Sequence, residues 1–365
     1  MSRSGQRPVP MTKRALVTVS HAIERAALFA ADDAPMVVFG LFQRWAYFDR
    51  ERAVYTKIAA QADATIVAGV GLDHAAPPGD LVAVALADDD PLAREWSVVI
   101  LTPRFGAVLV ARDLEQVSAA PTLEAGRLFD AAWWFRRDEA LHEVARLRRV
   151  LGSRLPQATT AAIDGVLNRA RELPSTAGEL RAEAAIRLLA ERLERRPAPA
   201  PVPSGRDDEQ TQDLTEQRAA QRWLGDTGTT AAGTLPLALL GIRLQHAHEL
   251  SPRLGRRAET IAAIEVVRAA TAVLRPVDRA VRLDADDLLL IMPALPHDEA
   301  VAVANRLTED IARLRGTHPF IPRTTCAVLV TRDRPLPLDQ LRAGLDWSAA
   351  QQIPVATLGD SEARP

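Results

Sequence analysis

The stretch "RLDADDLLLIMP", Arg282 to Pro293, reads as a hairpin tip filled with acid that runs straight into an apolar strand. Asp284, Asp286 and Asp287 surround one small residue, Ala285, and Leu288 opens an unbroken apolar run. A short apolar run bounded by turn formers fits a buried strand. Three carboxylates in four residues suit a metal site, a polar turn or the remains of a lost chemistry, and the polar turn is the plainer reading.

Working outward from the hairpin, a helix through "DLTEQRAAQRWL" precedes a strand in "LPLALLGIRL", and a long helix runs from about Arg256 to Leu274. After the hairpin come the helix "HDEAVAVANRLTEDIARLRG", the strand "TTCAVLV" and a last helix in "PLDQLRAGLDWSAAQQ". The order β, α, β-β, α, β, α predicts a mixed sheet with helices on one side. Cys326, the single cysteine, lies in the strand "TTCAVLV" and reads as a packed residue; alone, it excludes an internal disulfide and a cysteine cluster for zinc. His246 and His248, with Glu249, stand two residues apart where strand gives way to helix, and a solvent-exposed turn explains them better than a metal site.

Upstream, "PAPAPVPSG" cannot continue a helix, because proline lacks the amide donor and crowds the preceding turn. It marks a linker over residues 197–210. Residues 138–196 read as a helical connector: Leu141, Val144, Leu147, Val150 and Leu151 fall on one stripe, which predicts packing on a neighbouring helix or on a second subunit as a homodimer. Residues 15–137 alternate helix and strand. "LVTVSHAIERAALFA" has helical spacing with Ser20 as a cap, and "MVVFGLF", "ATIVAGV", "LVAVAL", "EWSVVIL" and "FGAVLVARDL" are short β-branched runs between turn formers. The fold class is therefore α/β (α+β) with two domains.

At 365 residues, 47% hydrophobic and a net charge of -2, the chain reads as an ordinary globular protein with no gross charge for capturing nucleic acid or an anionic membrane. Lysine occurs only at Lys13 and Lys57, so nearly all positive charge is arginine. No apolar run approaches the roughly 18 to 20 residues of a membrane span, and "MSRSGQRPVPMTKRALVTVS" lacks the apolar stretch of a secretory signal, so a cytoplasmic location is expected. No helix-turn-helix or zinc motif marks a nucleic-acid-binding output.

The order of elements, with "RPVDRAVRLDADDLLLIMP" and the downstream "IMP" and "DEAVAVANRL", resembles a GGDEF domain over residues 211–355. The resemblance implies a diguanylate cyclase relative, a family whose active members make cyclic di-GMP from two GTP molecules. It aligns Asp284, Ala285, Asp286, Asp287 and Leu288 with the family's Gly-Gly-(Asp/Glu)-Glu-Phe signature. Asp286 keeps the magnesium-binding carboxylate, and Asp287 shortens the next. The family's other carboxylate ligand corresponds to Gly241 in Gly241-Ile242-Arg243, its guanine-holding Asn and Asp to Glu249 and Ala258, and its phosphate lysine to Ile353. These departures imply a degenerate, inactive site with no catalytic residues and no metal or other cofactor. One family feature remains: Arg275-Pro276-Val277-Asp278 stands at the offset of the inhibitory Arg-x-x-Asp site. The resemblance implies that Arg275 and Asp278 bind cyclic di-GMP, with Arg279 and Arg282 as helpers, since an arginine fork suits phosphate and a carboxylate accepts from guanine. A polar connection between helix and strand is the bland alternative.

The first module resembles the DICT sensory domain on "VSHAIE" (19 to 24), "GLFQRWAYFDRERAVYTKIA" (40 to 59), "DPLAREWSVVILTPRFGAVLVARDL" (90 to 114) and "RLFDAAWWF" (127 to 135). Glu95, Trp96, Phe42, Gln43, Trp45, Tyr47, Tyr55, Trp133 and Trp134 are candidates for a ligand pocket, although core packing is the commoner fate of such residues; Gln43 and Arg44 look least core-like. The combination implies a signalling protein whose inactive output domain receives cyclic di-GMP or binds a protein partner. The alternatives are an unconventional active cyclase using Asp286 and Asp287, and an adaptor that binds protein and no nucleotide.

Overall fold

The computed structural model describes residues 9–30, 33–72, 80–173, 217–225, 235–245 and 255–359 except 285, together with scattered positions between 181 and 188. The chain divides into two units, residues 1–114 with 128–202, and residues 115–127 with 203–365.

In the first unit β1 (Val9–Thr12) leads into α1 (Lys13–Phe29), β2 (Val37–Arg44), α2 (Trp45–Ala59), β3 (Ala64–Val70), β4 (Leu81–Leu86), β5 (Glu95–Leu101) and β6 (Gly106–Val117). A short turn α3 (Leu123–Gly126) precedes β7 (Arg127–Trp134), α4 (Arg137–Leu151) and α5 (Gln157–Glu172). The seven-stranded sheet has the order β1-β7-β6-β5-β2-β3-β4; β2, β3 and β4 run parallel and β5 lies antiparallel to β2. Alternation along β2 sets the layers. Met36, Val38 and Phe42 pack with α1 and α2, while Val37, Phe39 and Leu41 pack with α4 and α5. Coverage of both faces explains the continuous apolar run of β3, every residue of which is buried.

Two sequence expectations change here. Thr12, not Ser20, caps α1, accepting from Ala15 N, and Ser20 sits buried in mid-helix. The helices expected as a connector complete the first unit, because Ala140, Val144, Leu147 and Leu151 of α4 and Ile163, Val166 and Leu167 of α5 close the second face of the sheet. The stripe packs largely inside the unit, and Val150 alone of the five striped residues is largely exposed. The Pro-rich linker at 197–210 lies outside the described residues.

The second unit contains α6 (Gln217–Leu224), β8 (Leu237–Leu244), α7 (Arg256–Ala272), β9 (Arg279–Arg282), β10 (Asp287–Pro293), α8 (His297–Thr317), β11 (Thr324–Thr331), α9 (Leu338–Gln351) and β12 (Val355–Thr357). Its five-stranded sheet, β12-β11-β8-β10-β9, is antiparallel except for the β11–β12 pair. The expected hairpin is β9–β10. Leu288, Leu290 and Met292 face α7 and α8, while Leu289 and Ile291 face α6 and α9. Helices therefore cover both faces, which corrects the expectation of one side and explains why the run after Asp287 does not alternate with polar residues. Residues 115–127 belong to this unit through Leu123, fully buried beside Trp223 and Leu235.

Candidate functional site

The acidic tip closes on itself. Leu283 N and Asp284 N donate to Asp287 O at 2.9 and 3.2 Å, and Leu244 N donates to Asp286 O at 2.9 Å, tying the turn to β8. Asp287 opens β10 directly opposite Arg243. Its carboxylate is 5% exposed and accepts from Arg243 Nε at 2.8 Å and Nη2 at 2.7 Å, a bidentate fork. Arg243 Nη1 bonds Asp346 on α9. The hydrogen bond that Arg243 donates to Asp287 is the leading reason that Arg243 holds its proton more firmly than an ordinary arginine. Asp284 is mostly exposed, 3.7 Å from Arg342, and Asp286 is half-buried. Ala285 lies outside the described residues, and Leu288 is core.

Gly241 stands on the same face of β8 as Arg243, two residues apart. A Cβ at Gly241 would lie 3.0 Å from Leu345 Cδ1 and 3.2 Å from Leu341 Cγ, so any side chain there would crowd two leucines of α9. Ala258 lies in α7, and Ile353, partly exposed, donates its backbone N–H to Ser348 O at 3.0 Å. His246, His248 and Glu249 lie outside the described residues. An open groove of about 1010 Å³ at this end of the sheet is lined by Arg243, Asp284, Asp286, Asp287 and Arg323, among others.

Arg275 and Asp278 meet each other in a closed turn between α7 and β9. The Asp278 side chain, 1% exposed, accepts from Arg275 N at 2.7 Å, Nη2 at 2.9 Å and Nε at 3.1 Å. Arg275 Nη2 also donates to Pro293 O at 2.7 Å. The arginine is 41% exposed, and its Nη1 makes no hydrogen bond among the described residues. Arg279 lies 5.0 Å over the Trp223 ring and donates to Asp278 O at 2.7 Å; Arg282 is exposed at the end of β9.

In the first unit the aromatic candidates are mostly core. Trp45 and Tyr55 of α2 pack in one core with Phe42, Trp96 and Trp133 of the sheet, and Trp134 packs in the core beneath α4. Gln43, expected to be least core-like, is 4% exposed and donates to Asp113 at 3.3 Å; its neighbour Arg44 meets Asp88 at 2.9 Å. Glu95 pairs with Arg146, and Tyr47 lies under the Lys13 ammonium at 4.2 Å.

The group that sequence reading missed is His21, Glu24 and Glu51, whose donor atoms lie within 4.8 Å of one another. His21 and Glu24 share a face of α1 at i, i+3 spacing, a signal present in the sequence; Glu51 comes from α2 and had none. Burial first, then the neighbouring Glu51, pushes Glu24 up to about 7.

Residues 1–114 match the DICT family. That family is described as a sensory domain in diguanylate cyclases and two-component systems. Solved structures similar to this chain are GGDEF domains, over its C-terminal part. The GGDEF domain of DgcB from Caulobacter crescentus in complex with c-di-GMP is 17% identical, with a TM-score of 0.34 over 42% of this chain and 98% of that one. A sensory box/GGDEF family protein, also from Caulobacter crescentus, is 18% identical with a TM-score of 0.31 over 38% of this chain and 94% of that one. The S helix-GGDEF-EAL part of LapD from Vibrio cholerae, bound to c-di-GMP, is 16% identical with a TM-score of 0.30 over 37% of this chain and 32% of that one. No curated protein matches the chain. No helix among the described residues is long and apolar enough to cross a membrane.

Proposed function

We propose that the chain is a signalling protein in which a DICT-like sensory unit is joined to a GGDEF-like unit that performs no cyclase chemistry. The observation that carries this reading is the fork from Arg243 to Asp287. Magnesium-assisted attack on an α-phosphate needs hard oxygen ligands free to meet the ion. Here a guanidinium is bonded to one acid of the tip, and the nearby strand position is Gly241, which has no ligand side chain and packs against Leu341 and Leu345. Asp286 remains at a magnesium-binding position of the signature, one carboxylate where the family brings two. Calorimetric titration with GTP, with and without magnesium, tests this: no magnesium-dependent heat is expected, and magnesium-dependent binding lost in Asp286→Ala contradicts it.

A specific observation favours a receptor role for the same unit. Arg275 is 41% exposed and its Nη1 makes no hydrogen bond among the described residues, with Arg279 and Arg282 on the adjoining strand. A phosphate of cyclic di-GMP is the ligand that such a cluster suits, whereas Asp278, engaged by three donors of Arg275, meets guanine only if that turn opens. A charge-assisted phosphate contact contributes about 1.5 to 3 kcal/mol, so Arg275→Ala weakens binding roughly ten- to a hundredfold. Absence of cyclic di-GMP binding at high micromolar ligand, or equal binding by Arg275→Ala, leaves protein interaction as the unit's role.

A further inference from the structure

Glu24 is 2% exposed, yet no arginine or lysine is bonded to it among the described residues. Its Oε1 accepts from Ser20 Oγ at 3.1 Å and Tyr55 Oη at 3.5 Å, which leaves Oε2 without a hydrogen-bond partner among the described residues. A buried carboxylate in this state is costly unless it takes up a proton or a cation meets it. The adjacent groups are themselves ligand types. His21 Nε2 stands 3.3 Å from Glu51 Oε1, and the His21 and Glu51 side chains are 44% and 26% exposed, which gives the site an entry path.

We propose that His21, Glu24 and Glu51 bind one divalent first-row transition ion, of which zinc is the probe, at the packing seam of α1 and α2. One imidazole and two carboxylates suit such ions. Bonds of about 2.0 to 2.1 Å in a tetrahedral site put neighbouring donor atoms roughly 3.4 Å apart, close to the His21–Glu51 separation. The supporting shell is already built. Ser20 and Tyr55 fix the Glu24 carboxylate as outer hydroxyls do for ligating carboxylates. The Tyr55 ring is held in turn by Gly40, where a Cβ would fall 2.7 Å from the ring. A cavity of about 90 Å³ adjoins His21 and Glu51, with Ser20, Tyr47 and the cations Lys13 and Arg50 also in its wall, and leaves room for a water or small anionic ligand in the fourth position. The ion would join the helix carrying His21 and Glu24 to the helix carrying Glu51, so metal availability becomes a stimulus that the first unit reads. This stands independently of the second unit's chemistry.

The test uses the full chain, stripped with a chelator and titrated calorimetrically with zinc, and with cobalt for its visible spectrum. Binding of one ion per chain is expected, with cobalt bands typical of nitrogen and oxygen ligands. His21→Ala and Glu51→Gln, both at partly exposed positions, each weaken zinc at least tenfold and remove the cobalt bands, while circular dichroism stays unchanged. No saturable binding by the unaltered chain overturns the proposal, as does zinc binding that is equally tight in His21→Ala and Glu51→Gln.

Discussion

At the residue scale, Asp287 is held as a nearly buried carboxylate by the fork from Arg243. Removing one partner of such a pair leaves the other charge buried and uncompensated, which costs more than replacing both. Arg243→Ala should therefore lower stability by about 2 to 4 kcal/mol in urea unfolding, and Arg243→Leu with Asp287→Leu by clearly less. Equal losses in the single and double variants would show that the fork does no such compensation. Cys326 offers a second check. Full burial pushes its thiol up to about 12, so the folded protein should resist thiol alkylation at pH 8 and react fully once denatured. Modification of the native chain at the rate of a free thiol contradicts that packing. The fate of Cys326 was legible in its apolar neighbours. The fork was not, because Arg243 and Asp287 are brought opposite each other only by the register of β8 on β10.

At the scale of elements, strands were the most legible part, since β-branched and leucine-rich runs between turn formers leave few alternatives. The β9–β10 hairpin and β2 through β6 fall where their patterns put them. Partners of amphipathic helices were less legible: a stripe says that a face is buried but not against what. The stripe on α4 fits a subunit, a helix or a sheet equally well, and the sheet of its own unit takes it. Close approach decides such choices. At Gly106 a Cβ would lie 2.5 Å from the Arg137 Cα and 2.8 Å from the Ala140 Cβ, so β6 and the start of α4 touch backbone to backbone. Gly106→Ala should cost about 1 to 3 kcal/mol through overpacking, read by thermal unfolding. A neutral effect would mean that α4 does not dock there.

At the scale of the whole molecule, two units each have their own sheet and core, and the linker expected over 197–210, on the argument that proline forbids helix, lies outside the described residues. Limited proteolysis is expected to cut within 197–210 and leave two resistant fragments; cuts confined to either core contradict this organisation. Less legible was the claim of 115–127 on the second unit, since Leu123 sits in a polar loop between two strands of the first. The proposed function, a second unit with the shape of a cyclase relative and without its chemistry, is tested by incubating the full chain with GTP and magnesium. Chromatography should find no cyclic di-GMP after prolonged reaction at high enzyme concentration. Product that accumulates with time and disappears in Asp286→Ala would contradict the account.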